Sequence, residues 1–146
     1  QAVAITAGEE HPIGPLTDDT HNRTVEINGT PTIIHRLEQF VDFGAEVVFM
    51  IVGLPEREYY QSLRRRVPGR AYLQAQREAL GLAHALLTVE GHIEDEFMLM
   101  LGDNIFQANS EDVVTRQPED RADAAFLVEK IDWAEADRYG VCDERV

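Results

Sequence analysis

The run Val47 to Val52 is apolar at every position, and this constrains the fold more than any other feature of the chain. A strand with one face in water alternates apolar and polar residues, so an unbroken run of this length reads as a strand covered on both faces. The expected strand spans 46–52, with Gly53 and Pro55 closing it. Ala2 to Thr6 and Phe97 to Leu101 have the same short, apolar, bounded character and read as two further buried strands.

Between these strands the period changes. Ile33, Leu37, Phe40 and Val41 recur at helical spacing after Pro31, with Gly44 beyond them, which predicts a helix opened by proline and closed by glycine. An Asn28-Gly29 turn precedes it, after a short extended segment over 24–27. Glu56 to Arg66 reads as helical until Val67-Pro68-Gly69 breaks it. Ala71 to Ala75 then reads as a short strand, Ala79 to Val89 as a helix and Ala124 to Val128 as one more strand that leaves Lys130 at its end. Strand alternating with helix predicts an α/β, Rossmann-like fold, with a mostly parallel sheet and helices on both faces. Ligands of such sheets bind beyond the carboxyl ends of the strands. Two segments are placed there: Gly8 to Leu16, dense in glycine and proline, and Gly102-Asp103-Asn104.

The chain has 146 residues, a length expected to form one domain over 1–146. Its charge is −14, from 27 acidic against 13 basic side chains, so duplex nucleic acid is an unfavourable partner. Lys130 is the only lysine and every other basic side chain is arginine. This composition fits either a protein of salt-saturated cytoplasm, where salt screens the self-repulsion, or an acidic mesophilic protein. No stretch is long and apolar enough to span a bilayer, and Cys142 is the only cysteine. The expectation is therefore a cytoplasmic protein without internal disulfides.

Several segments in one order carry a resemblance: Ala7-Gly8, Pro15-Leu16-Thr17, Asn28-Gly29 with Pro31, Gln76, Gly81 with Ala83-His84-Ala85, Gly102-Asp103-Asn104 and Tyr139-Gly140-Val141. Together they resemble the sugar-1-phosphate nucleotidyltransferases, glucose-1-phosphate thymidylyltransferases and uridylyltransferases of haloarchaeal type, over the family's N-terminal, nucleotide-binding part. The resemblance implies attack of a sugar-1-phosphate oxygen on the α-phosphorus of dTTP or UTP, with release of pyrophosphate. It implies Ala7, Gly8, Gln76 and Gly81 at the nucleotide, Asn104, Tyr139 and Gly140 at the sugar, and Asp103 on Mg²⁺. Without the resemblance, Gly102-Asp103-Asn104 reads as a turn, Gln76 as a loop glutamine and His84 as a helix-packed residue. Relatives continue past the position of Val146 with the rest of the sugar pocket, so a fragment or a truncated gene product is expected.

The first loop departs from the family pattern L-A-G-G-x-G-T-R-L-x-P-L-T, whose glycines let backbone amides cradle phosphates. Ile5 to Thr17 reads I-T-A-G-E-E-H-P-I-G-P-L-T, with Glu9 and either Glu10 or His11 where glycines are expected, and no arginine. The family's P-K-P aligns with His21-Asn22-Arg23, which leaves Arg23 as the candidate catalytic cation. A second function class follows: a catalytically silent paralogue that binds nucleotide-sugar or assembles with an active relative. Self-association into a homo-oligomer is expected from exposed sheet edges. Arg64, Arg65 and Arg66 read as solvated or oligomer-contact residues at a helix end, Trp133 as packed on a hairpin or subunit edge, and Glu94-Asp95-Glu96 as a solvated turn.

Overall fold

The computed structural model describes residues 1–7, 25–67, 69–102, 104, 123–138, 140 and 142. It divides into two compact units, Gln1–Ser110 and Glu111–Val146.

The first unit is built on a four-stranded sheet. Its strands are β1 (Ala2–Ile5), β4 (Val47–Gly53), β5 (Arg70–Gln76) and β6 (Met98–Leu101), and a separate hairpin is formed by β2 (Glu26–Ile27) and β3 (Thr30–Pro31). The four lie in the order β5-β4-β1-β6, and every pairing among them is parallel. Register sets Val3 beside Phe49 and Leu99, and Ile5 beside Ile51 and Leu101.

Strand alternation sends these residues to two different cores. Ala2, Ala4, Val48, Met50 and Val52 pack with Ile33, Ile34, Leu37 and Phe40 of α1 (Thr32–Asp42) and with Tyr60 and Leu63 of α2 (Arg57–Leu63). Val3, Ile5, Phe49 and Ile51 pack on the other face, with Ala85 of α3 (Leu82–Leu87) and Val89. Both faces of β4 are therefore covered, which is why its sequence is continuously apolar. The parallel sheet with helices on both faces is the α/β architecture expected from the alternation.

Local chemistry explains the element ends. Asn28 and Gly29 both have positive φ, 53° and 74°, the backbone of the two-residue turn that joins twisted hairpin strands. Pro31 caps α1 from an extended conformation rather than entering it. At the other end Gly44 has φ 92°, and the amides of Gly44 and Ala45 donate to the carbonyls of Val41 and Phe40, each at 2.9 Å, closing the helix with a Schellman motif. α2 tightens into a 3₁₀ turn over Arg64–Arg66 before Val67 becomes extended, as a residue preceding proline must. All three arginines are exposed at that helix end, where cations complement the helix dipole.

Three expectations are corrected. The helix expected over 79–89 is confined to Leu82–Leu87, because Gly81 adopts φ 93°, ψ 179° and cannot be helical. Ala124 to Val128, in the second unit, forms no strand: no ladder partner is found for it among the described residues, and Phe126 is 80% exposed. Lys130 accordingly lies at no strand end. Trp133 packs on no hairpin among the described residues; it is 87% exposed and begins a 3₁₀ helix, Trp133–Arg138, whose start is capped by Asp132 Oδ1 accepting from the Ala134 amide at 3.1 Å. Among the described residues no helix is long and apolar enough to cross a membrane.

Candidate functional site

The strand order runs from β1 outward through β4 to β5, then returns to the other side of β1 for β6. The direction of winding therefore reverses between β1 and β6, and the crevice beyond their carboxyl ends is where a doubly wound sheet binds its ligand.

Thr6 and Ala7 leave β1 into that crevice, and both are buried. The Thr6 amide and hydroxyl both donate to the Ile51 carbonyl, at 2.7 and 2.8 Å, which continues the β1–β4 ladder one step past the strand. From the other side the Gly102 amide donates to the Ile5 carbonyl at 2.8 Å. A Cβ on Gly102 would lie 2.6 Å from Thr6 Cγ2 and 3.2 Å from the Ile5 oxygen, so glycine is required by the closeness of the Thr6 side chain and the Ile5 carbonyl at the switch point. Gly102→Ala is expected to cost about 1–3 kcal/mol, since a β-branched threonine cannot swing aside; thermal denaturation measures it. Asn104, just beyond, is exposed.

Gln76 ends β5, opposite Gly53 at the end of β4. It is 5% exposed, on the sheet face that α3 covers. Its Nε2 lies 2.9 Å from His84 Nδ1 on α3 and donates to the Gly81 carbonyl at 3.3 Å. Gly81 occupies a backbone region open essentially to glycine alone, although a Cβ there would meet nothing within 4 Å. Conformation, not crowding, demands this glycine. Gly81→Ala is expected to destabilise the protein by about 1–3 kcal/mol and to shift the Gln76 contact, read by urea unfolding. Of the residues that the family resemblance implies at the nucleotide, Gln76 and Gly81 are thus brought together, with His84 of the helix beside them. In the structure the amide donors of Gln76 are turned inward.

Gly8, Arg23, Asp103 and Tyr139 lie outside the described residues, and Gly140, exposed, belongs to the second unit. No group of three or more His, Cys, Asp or Glu side chains placed to hold a metal occurs among the described residues. A cleft of about 300 Å³ lies along α1, lined by Ile27, Thr32, His35, Arg36, Glu38, Gln39 and Asp42. Arg36 within it is buried and donates to Gln39 Oε1 at 2.6 Å. The sequence reading passed over this arginine, although its spacing from Ile33 and Phe40 puts it on the buried stripe of α1.

A parallel sheet wound in both directions, with a buried amide, a close-approach glycine at 102 and a conformationally required glycine at 81 beyond its carboxyl end, defines the doubly wound α/β class that binds ligands at a switch point. The chain belongs to the nucleotidyl transferase family, whose model matches residues 1–145. It is 54% identical over 145 residues to the UTP–glucose-1-phosphate uridylyltransferase AglF of Haloferax volcanii, covering 97% of this chain and 59% of that protein. It is 26% identical to a glucose-1-phosphate thymidylyltransferase of Streptomyces antibioticus, over 88% of this chain and 37% of the relative. The chain therefore spans well under two thirds of the length of these curated relatives. The UDP-glucose pyrophosphorylase from Acinetobacter baumanii shares the fold at a TM-score of 0.67 and 18% identity, over 84% of this chain and 53% of that one. The inositol-1-phosphate CTP transferase from T. maritima does so at 0.62 and 18%, over 70% and 42%.

Proposed function

We propose that the protein binds a pyrimidine nucleoside triphosphate across the carboxyl ends of β1, β4 and β5 and serves transfer of its nucleotidyl group to a sugar-1-phosphate. A phosphate oxygen of the sugar attacks the α-phosphorus, the bond to the β-phosphate bridge breaks, and pyrophosphate leaves. The Gln76–Gly81–His84 cluster carries this reading. It stands at the end of β5, about 10 Å, two strand spacings, from the end of β1, which allows the base at one and the phosphates at the other. UTP is favoured over dTTP, and glucose-1-phosphate as the sugar phosphate, by the 54% identity to a uridylyltransferase.

The remaining roles follow the family pattern. Ala7 and Gly8 lead into the triphosphate loop, Arg23 supplies a cation, and Asn104, Tyr139 and Gly140 meet the sugar. Asp103 suits Mg²⁺, which is commonly bound by one or two carboxylates together with substrate phosphates and water; bound there, the ion would neutralise charge on the phosphates. The acidic, arginine-rich composition and the Haloferax relative support a cytoplasm of high salt, and β5 and β6, each with one strand neighbour among the described residues, support a homo-oligomer.

The loop sequence favours a second reading, a paralogue that binds nucleotide or nucleotide-sugar without turnover. Glu9 and either Glu10 or His11 stand where the family has phosphate-cradling glycines, and Asn22 stands where it has lysine. A pyrophosphate-release assay with UTP, glucose-1-phosphate and Mg²⁺ in multimolar KCl separates the two. Release that depends on both substrates establishes the transferase; nucleotide binding without release establishes the silent paralogue.

A further inference from the structure

We infer that a second copy of this chain docks head to tail on the β5 edge of the sheet, its acidic turn of Glu94, Asp95 and Glu96 meeting the arginines at the start of β5. The inference rests on the self-association proposed above and specifies its surfaces.

Charge is segregated along the chain. Residues 57–77, which form α2, its 3₁₀ turn and β5, hold six of the 13 basic side chains and one of the 27 acidic ones. That segment carries +5, while the remainder, with seven basic and 26 acidic side chains, carries −19. Arg57, Arg64, Arg65, Arg66, Arg70 and Arg77 are all exposed. None of the six forms an ion pair with a carboxylate among the described residues. The planar, weakly hydrated guanidinium binds carboxylates through two parallel hydrogen bonds, which suits pairs across an interface. Screening reaches roughly 3 Å at 1 M salt, so in strong salt only such direct pairs count.

The fold sets opposite charges at the two lateral ends of one rim. All four strands are parallel and so start on the same side. Arg64–Arg66 and Arg70 stand at the start of β5, whereas Glu94, Asp95 and Glu96, all exposed, precede β6, three strand spacings or roughly 14 Å away. The Glu94 amide donates to Gln1 Oε1 at 2.9 Å, which ties the acidic turn to the start of β1. Register adds an apolar match. Tyr72, Phe49, Val3 and Leu99 form one row across β5, β4, β1 and β6. The inner two are buried, and the end members, Tyr72 and Leu99, are 49% and 51% exposed. Continuing the sheet from β6 of one copy to β5 of the next, in this direction and register, brings Leu99 against Tyr72 and Glu96 within one residue of Arg70. A two-fold contact would instead apply the same patch twice. Two antiparallel β5 strands centred on Leu73 bring Arg70 of each copy beside Arg77 of the other, and like charges there repel.

Sedimentation velocity of the whole chain in multimolar KCl tests this through a charge swap. The wild type is expected to associate as its concentration rises. One variant carries Arg64→Glu, Arg65→Glu and Arg66→Glu; a second carries Glu94→Arg, Asp95→Arg and Glu96→Arg. All six positions are exposed, so the fold is expected to persist, and circular dichroism checks it. Each variant alone sets like charge against like and is expected to self-associate roughly a hundredfold more weakly than the wild type. An equimolar mixture of the two restores opposite charges at every contact and is expected to recover association. Undiminished association in either variant, or a mixture of folded variants that stays monomeric, overturns the inference while leaving a homo-oligomer in place. A wild type that is monomeric throughout removes the inference and the self-association together. If that monomer retains a single-stranded RNA which the arginine variant releases, the edge belongs to nucleic acid and the inference falls.

Discussion

Phe40→Ala is expected to destabilise the protein by about 3–5 kcal/mol, the usual cost of emptying a fully buried aromatic site. Phe40 is 1% exposed and lies in the core beneath β1 and β4 with Ile33, Leu37 and Met50. Its position also bears on the end of α1, since its carbonyl accepts the Ala45 amide in the closing motif and Ala45 packs in the same core. Truncation therefore opens a cavity at the point where α1 turns into β4, so little relaxation can refill it. The melting temperature should fall by roughly 10–15 °C for a chain of this length. A loss below about 1 kcal/mol would mean that this core is not packed as described.

Glu9→Gly combined with Asn22→Lys is expected to tighten Mg²⁺-dependent UTP binding by roughly a hundredfold or more. The argument is electrostatic and comes from the sequence, since neither residue lies among those described. A carboxylate about 4 Å from a phosphate repels it by roughly 1 kcal/mol in water and about 4 kcal/mol at an effective dielectric of 20, and a lysine at similar range attracts by as much. The two changes act on different parts of the loop and should add unless the glutamate meets the new lysine directly. Calorimetry on the two single variants and the double variant separates these contributions. Unchanged affinity in all three would show that neither position approaches the phosphates, and the correspondence to the family's loop would have to be abandoned.

The sheet was legible because its signals are local. An apolar run bounded by Gly53 and Pro55 has few alternatives to a buried strand, and Pro31 with Gly44 brackets α1 on either side of a clear helical stripe. The misjudged segments each turned on something the pattern does not contain. Apolar spacing over 79–89 is helical, but the positive φ of Gly81 overrides it and delays the helix to Leu82. Ala124 to Val128 has strand composition, yet a strand exists only where a neighbour takes up its amides and carbonyls, and no sequence rule supplies that neighbour.

Legibility of the site followed the same division. Gln76 and Gly81 could be marked from an ordered series of motifs. What the amide does could not be, because its partners arrive from α3 only after β5 and α3 pack on one face of the sheet. The need for glycine at 102 was hidden for a related reason: the atom that forbids a side chain belongs to Thr6, ninety-six positions earlier, and is brought there by the β1–β6 pairing.

The central claim is that the carboxyl end of this sheet holds a pyrimidine nucleoside triphosphate with its base at Gln76. Isothermal titration of the purified protein with UTP, in multimolar KCl and Mg²⁺, with Gln76→Ala and Asp103→Ala in parallel, tests it most directly. Saturable binding is expected in the wild type, weakened roughly tenfold or more by Gln76→Ala through loss of one buried base contact, and strongly reduced in Asp103→Ala. No saturable binding by the wild type, or binding that both variants retain at full strength, would contradict the account.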